Sequence, residues 1–233
     1  MKLGLFADPH YCRADRIGSS RRPRLSYGKI QEALEAFRKE NVDLVICMGD
    51  LVDHCDTHED AVECLEEILG LVKASGLPFR NVPGNHDFIN FTAAELATYG
   101  LRKPPYSEVW NGTRFVVLDG NYRSDFRHFE EAGIVWTDAN LTPDQLAWLK
   151  TTLEGSAEPC VILVHETIND VEEHHVLRDA EAARKILTES GKVSLVIQGH
   201  YHHGHEETLD GIRYLTLPAM CEGEENRFFT LDI

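Results

Sequence analysis

Five short apolar runs of this chain each stop at Asp, Asn or His, and that recurrence constrains the fold more than any single motif. The run at 3–7 is followed at once by Asp8 and His10. The run at 44–48 leads into Gly49-Asp50-Leu51-Val52-Asp53, and the run at 79–82 into Gly84-Asn85-His86-Asp87. His165 closes the run at 161–164, and Gly199-His200-Tyr201-His202 follows the run at 193–197. Two further β-branched or aromatic runs lie at 115–118 and 214–217. Runs this short and this apolar read as buried strands. Between several of them, apolar residues recur at helical spacing, at 27–39, 59–74, 142–153 and 179–190. The third helix carries its own start signal, with Thr142 as N-cap, Pro143 in the first turn and Gln145 three residues after the cap. Strand–helix alternation early and paired strands late predict an α/β or α+β sheet protein with helices outside. Sheets of this kind place ligands beyond the carboxyl ends of their strands. The five polar stops therefore converge in space.

Convergence of carboxylates and imidazoles has a chemical use. Two divalent ions roughly 3.5–4 Å apart share a hydroxide, lower its pKa and clamp an in-line displacement at phosphorus. Such a pair needs oxygen and nitrogen ligands, one of them a carboxylate that reaches both ions. Glycines before Asp50, Asn85 and His200 let the backbone turn sharply beside the ions. Any one of these polar residues alone would read as a turn or a cap, since Asp, Asn and Gly are the usual turn residues. All of them together, each at a strand end, point to metal binding.

The ordered set Asp8-x-His10, Gly49-Asp50-x-x-Asp53, Gly84-Asn85-His86-Asp87, His165 and Gly199-His200-x-His202 resembles the full motif series of the calcineurin-like metallophosphoesterases. The match spans almost the whole chain. The resemblance implies two mixed β-sheets packed as a sandwich flanked by helices, in a single domain over 1–233. It implies that Asp8, His10, Asp50 and His202 hold one metal, and that Asp50, Asn85, His165 and His200 hold the other, with Asp50 bridging. His86 would serve as general acid or transition-state donor, oriented by Asp53, and a metal-bridging hydroxide would be the nucleophile. A carboxylate on one imidazole nitrogen favours the protonated ring and fixes its direction. The ions would be two divalent or trivalent metals, Mn, Fe or Zn, since mixed oxygen and nitrogen ligands suit all of these. Asp87 reads as structural.

A narrower likeness concerns substrate. The 84–91 segment, the arginine-rich first loop and the 199–217 segment look similar to the manganese-dependent ADP-ribose/CDP-alcohol diphosphatases. Those have Gln where this chain has His10, and a His there is the pattern of the cyclic-nucleotide phosphodiesterase-like branch. The expected substrate is thus a small phosphodiester or nucleoside-diphosphate-type compound. Arg13, Arg16, Arg21, Arg22 and Arg24 crowd into the first loop and are candidates to bind a second phosphate through bidentate hydrogen bonds, with a solvated loop as the alternative. Tyr11, Phe88, Phe91 and Tyr201 are candidates either for stacking a base or for packing. The aperiodic segment 120–140 reads as a lid or wall, or as a loop packed on its aromatics. His54, His58, His128, His174, His175, His203 and His205 read as solvated.

Charge narrows the partners. With 23 Lys and Arg against 39 Asp and Glu, the chain of 233 residues carries a formal charge of -16. Broad nucleic-acid binding rests on basic groups that neutralise phosphates, so nucleic acid is disfavoured and a nuclease is the weaker enzymatic reading. A small anionic substrate remains compatible, because bound cations reverse the local field of an acidic pocket. A non-catalytic protein-binding scaffold is a third reading, set against by the completeness of the ligand set. The N-terminal apolar run is too short for a signal peptide, and no run of about 18 apolar residues suggests a membrane span. Six cysteines without a C-x-x-C pair read as reduced thiols, and the cytoplasm is the expected compartment. Oligomeric state is not legible.

Overall fold

All seven apolar runs become strands, each pairing with at least one neighbour of its sheet. The computed structural model describes residues 1–169 and 171–233. The strands are β1 (Lys2–Phe6), β2 (Leu44–Cys47), β3 (Phe79–Asn81), β4 (Tyr106–Trp110), β5 (Thr113–Val117), β6 (Cys160–Leu163), β7 (Val193–Gln198), β8 (His205–Leu209), β9 (Ile212–Thr216) and β10 (Phe229–Asp232). They form a four-stranded sheet in the order β10-β1-β2-β3 and a six-stranded sheet in the order β4-β5-β6-β7-β9-β8. Neighbours β1-β2-β3 run parallel, as do β5-β6-β7-β9. The edges contributed by β10, β4 and β8 are antiparallel. Both sheets are therefore mixed, as the family resemblance implies.

Alternation along each strand assigns the two faces. Leu3, Leu5, Leu44 and Ile46 of one sheet meet Phe115, Val117, Val161, Leu163, Leu195 and Ile197 of the other in one buried cluster, the filling of the sandwich. The opposite faces, through Phe6, Val45 and Cys47 on one side and Val116, Ile162 and Val196 on the other, belong to a second cluster shared with the helices. Those helices are α1 (Ser26–Lys39), α2 (His58–Ser75), α3 (Asp87–Asn90), α4 (Ala93–Thr98), α5 (Phe129–Ala132), α6 (Pro143–Glu154) and α7 (Ala180–Ser190). Packing of α1 on its sheet is close enough that a Cβ at Gly4 would stand 2.7 Å from the Phe37 ring. The Thr142 hydroxyl accepts from the Gln145 amide at 3.1 Å and starts α6 as its sequence predicts.

The parallel strands have a consequence for function. The carboxyl ends of β1, β2 and β3 and those of β6 and β7 open at the same rim of the sandwich, where the loops to α3 and from β7 meet. Segment 120–140 folds beside that rim around α5 and a 3-10 turn, Trp136–Asp138. Phe129 is its buried anchor. No helix among the described residues is long and apolar enough to cross a membrane.

Candidate metal centre

Four residues that follow strands hold backbone conformations that side chains ordinarily avoid. Asp8, His10, Asp50 and His200 have φ of 50°, 44°, 54° and 64°. Left-handed non-glycine residues cost energy and concentrate where a site over-determines the backbone. Here they aim four chemistry-bearing side chains inward from three strand ends. The glycines serve close approach. A Cβ at Gly84 would overlap the Asp50 carboxylate, and one at Gly199 would lie 2.7 Å from the Met48 carbonyl and 2.9 Å from Asp8 Oδ2.

Asp50 is the centre of the arrangement. Its Oδ1 accepts from the His86 backbone N–H at 2.7 Å. Its Oδ2 faces His10 Nε2 at 3.3 Å and His165 Nε2 at 3.4 Å. Asp8 forms the second focus, with Oδ1 at 3.9 Å from His165 Nε2, 3.7 Å from His202 Nε2 and 4.0 Å from His10 Nε2. Asp8, Asp50 and His165 form one group whose ligand atoms lie close enough to hold an ion, and His10, Asp50 and His86 form another. Asp50 is common to both. A third group joins His10 and His202 to Cys221, one of the buried cysteines.

Whether this donor set suits metal ions is answered by its unsatisfied atoms. His165 Nε2, His200 Nε2 and Asn85 Oδ1 are buried and make no hydrogen bond, while His10 Nδ1 turns to Asp53 Oδ2 at 3.5 Å. Buried polar atoms without partners cost about 1–3 kcal/mol each, and native proteins rarely retain several together without a use. Three such lone-pair donors beside two carboxylates, with His10 Nε2 facing Asp50, match the coordination demand of divalent cations. Neighbours fix the rings from behind. His165 Nδ1 lies 2.6 Å from the Met48 carbonyl, and His202 Nδ1 2.8 Å from Glu222 Oε1. Contacts of this kind set the tautomer and leave the opposite nitrogen free to coordinate.

Electrostatics agree with the geometry. Burial pushes the His10 pKa down to about 3 and His200 well below its ordinary value, so both rings are neutral. Burial pushes Asp8 up to about 6. Burial would also raise Asp50, but His165, His10 and His86 around it hold the carboxyl well below the usual range. For His86 burial opposes protonation, and Asp50 and Asp53 outweigh it and raise the ring. His86 Nδ1 is 3.0 Å from Asp53 Oδ1. Asp87 is structural as expected, its carboxylate accepting from the amides of Asp50, Leu51 and Gly84 at 3.1, 2.9 and 2.9 Å.

A cavity of about 640 Å³ opens over the cluster, and His10, Asp50, Asn85, His86, His200 and His202 reach its surface. The first-loop arginines divide. Arg21 lines the cavity, with Nη1 3.1 Å from Asp53 Oδ2. The other four are absent from its lining, because their guanidinium groups are taken up elsewhere. Arg13 pairs with Glu63 and Glu67 at 2.7 Å, Arg24 pairs with Asp15, Arg16 bonds the carbonyls of Gly18 and Ser19, and Arg22 donates to the Arg21 carbonyl. Of the candidate stacking rings, Tyr11, Phe88 and Phe91 are buried in the core, and Tyr201 lines the cavity. His128 is not solvated; it is buried with Nε2 3.3 Å from Asp119 Oδ2. His175 and His203 also reach the cavity wall.

The sequence reading missed Glu222, Trp136 and Arg227. Glu222 is held at about 2 by its hydrogen bond to His202, against the cost of burial. It lies in an acidic tail segment where nothing sets it apart from Glu224 and Glu225.

A sandwich of two mixed sheets with a rim of paired carboxylates and imidazoles defines a dinuclear-metal phosphoesterase. The chain belongs to the calcineurin-like phosphoesterase family, whose model matches residues 1–204. It is a metal-dependent hydrolase of phosphoric esters or anhydrides, from a family that works with two metal ions. Over 205 residues it is 22% identical to a probable cyclic nucleotide phosphodiesterase of Psychrobacter arcticus, covering 80% of this chain and 67% of the relative. Over 281 residues it is 23% identical to a manganese-dependent ADP-ribose/CDP-alcohol diphosphatase of Danio rerio, covering 94% of this chain and 87% of that one. The crystal structure of a dimetal phosphatase from Danio rerio superposes with a TM-score of 0.86 at 22% identity, covering 98% of this chain and 91% of the other.

Proposed function

We propose that this chain hydrolyses a small phosphodiester or a nucleoside-diphosphate-type substrate at a two-metal centre. Asp8, His10, Asp50 and His202 would hold one ion, and Asp50, Asn85, His165 and His200 the other. Manganese is the first ion to try, because a relative is named for it. When bound, the ions would supply positive charge at the phosphoryl oxygens and lower the pKa of water at the site. The observation that carries the reading is the position of Asp50 Oδ2 between His10 Nε2 and His165 Nε2, at 3.3 and 3.4 Å.

The chain's own groups do the rest. His86 reaches the cavity from a ring anchored on Asp53, and delivers a proton or a hydrogen bond to the leaving oxygen. Arg21, on the same carboxylate, offers its remaining donors to a second phosphoryl group. The His86 backbone N–H, tied to Asp50, keeps the floor rigid, so little reorganisation is needed as charge develops.

The test is elemental analysis of the purified chain, paired with manganese-supplemented turnover of bis(p-nitrophenyl) phosphate, p-nitrophenyl phosphate and ADP-ribose. About two ions per chain and hydrolysis of the first or third substrate are expected. No bound metal and no turnover after reconstitution would favour a protein-binding scaffold instead.

A further inference from the structure

The cavity lining mixes two chemistries. Arg21 and Arg227 are basic groups in a chain of charge -16, alongside Glu172 and Glu222. Another part of the lining is aromatic. Trp136 packs on His175 with ring centroids 5.3 Å apart and on His200 at 5.7 Å. His175 continues to Tyr201 at 5.2 Å. His175 also lies 5.3 Å from His200, so the rings form one cluster that starts at an expected metal ligand and includes the exposed Trp136.

Trp136 is 41% exposed, although Phe129 of the same segment is buried completely enough to anchor it. Leaving a large apolar ring open to water forgoes the burial that packing would bring. The indole is nonetheless held firmly. Asp138, in the same 3-10 turn, accepts from Ser124 N and Oγ at 3.1 and 3.0 Å, and the Arg178 amide donates to the Ala139 carbonyl at 3.1 Å. An open ring on a braced support is a preorganised surface, for which binding costs little ordering.

We propose that Trp136, backed by His175, is the stacking platform for a heteroaromatic ring carried by the substrate, so that the site selects nucleotides over ring-free phosphoesters. The inference rests on the phosphoesterase reading and specifies its substrate. A phosphoryl group above Asp50 and His200 lies one ring away from the indole, and the sugar of a nucleotide supplies a spacer between phosphate and base. Stacking of a base on an aromatic side chain tolerates any base, since each has a π face.

Binding of AMP and of ribose 5-phosphate to the manganese-loaded protein, followed by calorimetry and by tryptophan fluorescence, tests the proposal. AMP should bind at least about 10-fold more tightly than ribose 5-phosphate, the scale of one base–aromatic stack. AMP alone should quench the fluorescence, since Trp110 and Trp148 do not line the cavity. Trp136→Leu should abolish the quench and collapse the AMP preference, and Trp136→Phe should restore most of that preference. Equal affinity for the two ligands, or an unchanged preference in Trp136→Leu, overturns the platform. Because these are binding measurements, a wild-type protein that prefers AMP yet hydrolyses no phosphoester would sink the catalytic reading and leave the platform standing.

Discussion

His86 and Arg21 share one carboxylate: Asp53 Oδ1 lies 3.0 Å from His86 Nδ1, and Asp53 Oδ2 lies 3.1 Å from Arg21 Nη1. Asp53 is almost fully buried, and its backbone carbonyl is tied to Asn90 Nδ2 at 2.8 Å. The imidazole is thus fixed in direction, and its other nitrogen is left for the cavity. His86→Ala should retain bound metal and lose about 10²–10⁴-fold in kcat, the worth of a positioned acid. The loss should be largest for substrates with poor leaving groups and small for p-nitrophenyl esters. Full activity of His86→Ala on an alkyl phosphodiester would remove the ring from the mechanism.

Asp50 stands between two imidazoles and is expected to serve both ions, so its removal should differ in kind from that of His86. Asp50→Ala should lower the metal content of the purified protein below one ion per chain as well as abolish turnover. Elemental analysis separates the two cases. Two ions retained in Asp50→Ala would mean that the shared ligand lies elsewhere. Chelation of the wild type should remove activity, and added manganese should restore it.

Glu222 lines the cavity and holds His202 from behind, so its effect should be on metal affinity. Its Oε1 is 2.8 Å from His202 Nδ1, which sets the ring and its tautomer. Glu222→Gln should weaken metal binding by about 10–100-fold, the usual cost of losing a carboxylate behind a ligating histidine. Raised manganese should rescue turnover in this variant. An unchanged metal titration would show that His202 is oriented by its packing alone.

Much of this site was legible because the informative residues follow strands directly. Asp8, Asp50, Asn85, His165 and His200 need no long-range information to be placed, once β1, β2, β3, β6 and β7 are seen to run parallel. Glu222 reaches His202 across a hydrogen bond spanning 20 residues, and no local pattern marks it. Trp136 sits in a segment without a period, so its exposure depends on how that segment folds back through Phe129. The edge strands were missed for a different reason. The β8 sequence HEETL is half-exposed and polar, and its strand character comes from pairing with β9. Composition did not separate the two readings of the arginine cluster: Glu63, Glu67 and Asp15 occupy Arg13 and Arg24, and of the five Arg21 lines the cavity.

Glu166 carries the last prediction. It follows His165, is almost fully buried, and neither carboxylate oxygen makes a hydrogen bond. Burial raises its pKa from 4.5 to about 7; His165 opposes the rise, and Asp119 and Asp50 add to it. In the unfolded chain the group titrates near its ordinary value. Between these two values the folded state binds the proton and the unfolded state does not, so folding is favoured at low pH and this contribution is lost as pH rises through about 7. The shift corresponds to a penalty on the order of 3 kcal/mol at alkaline pH. Glu166→Gln keeps the shape and removes the charge. In metal-free protein, urea unfolding from pH 4.5 to 8 should show the variant gaining on the wild type as pH rises. Parallel stability curves would mean that the carboxylate finds a partner or water when it ionises.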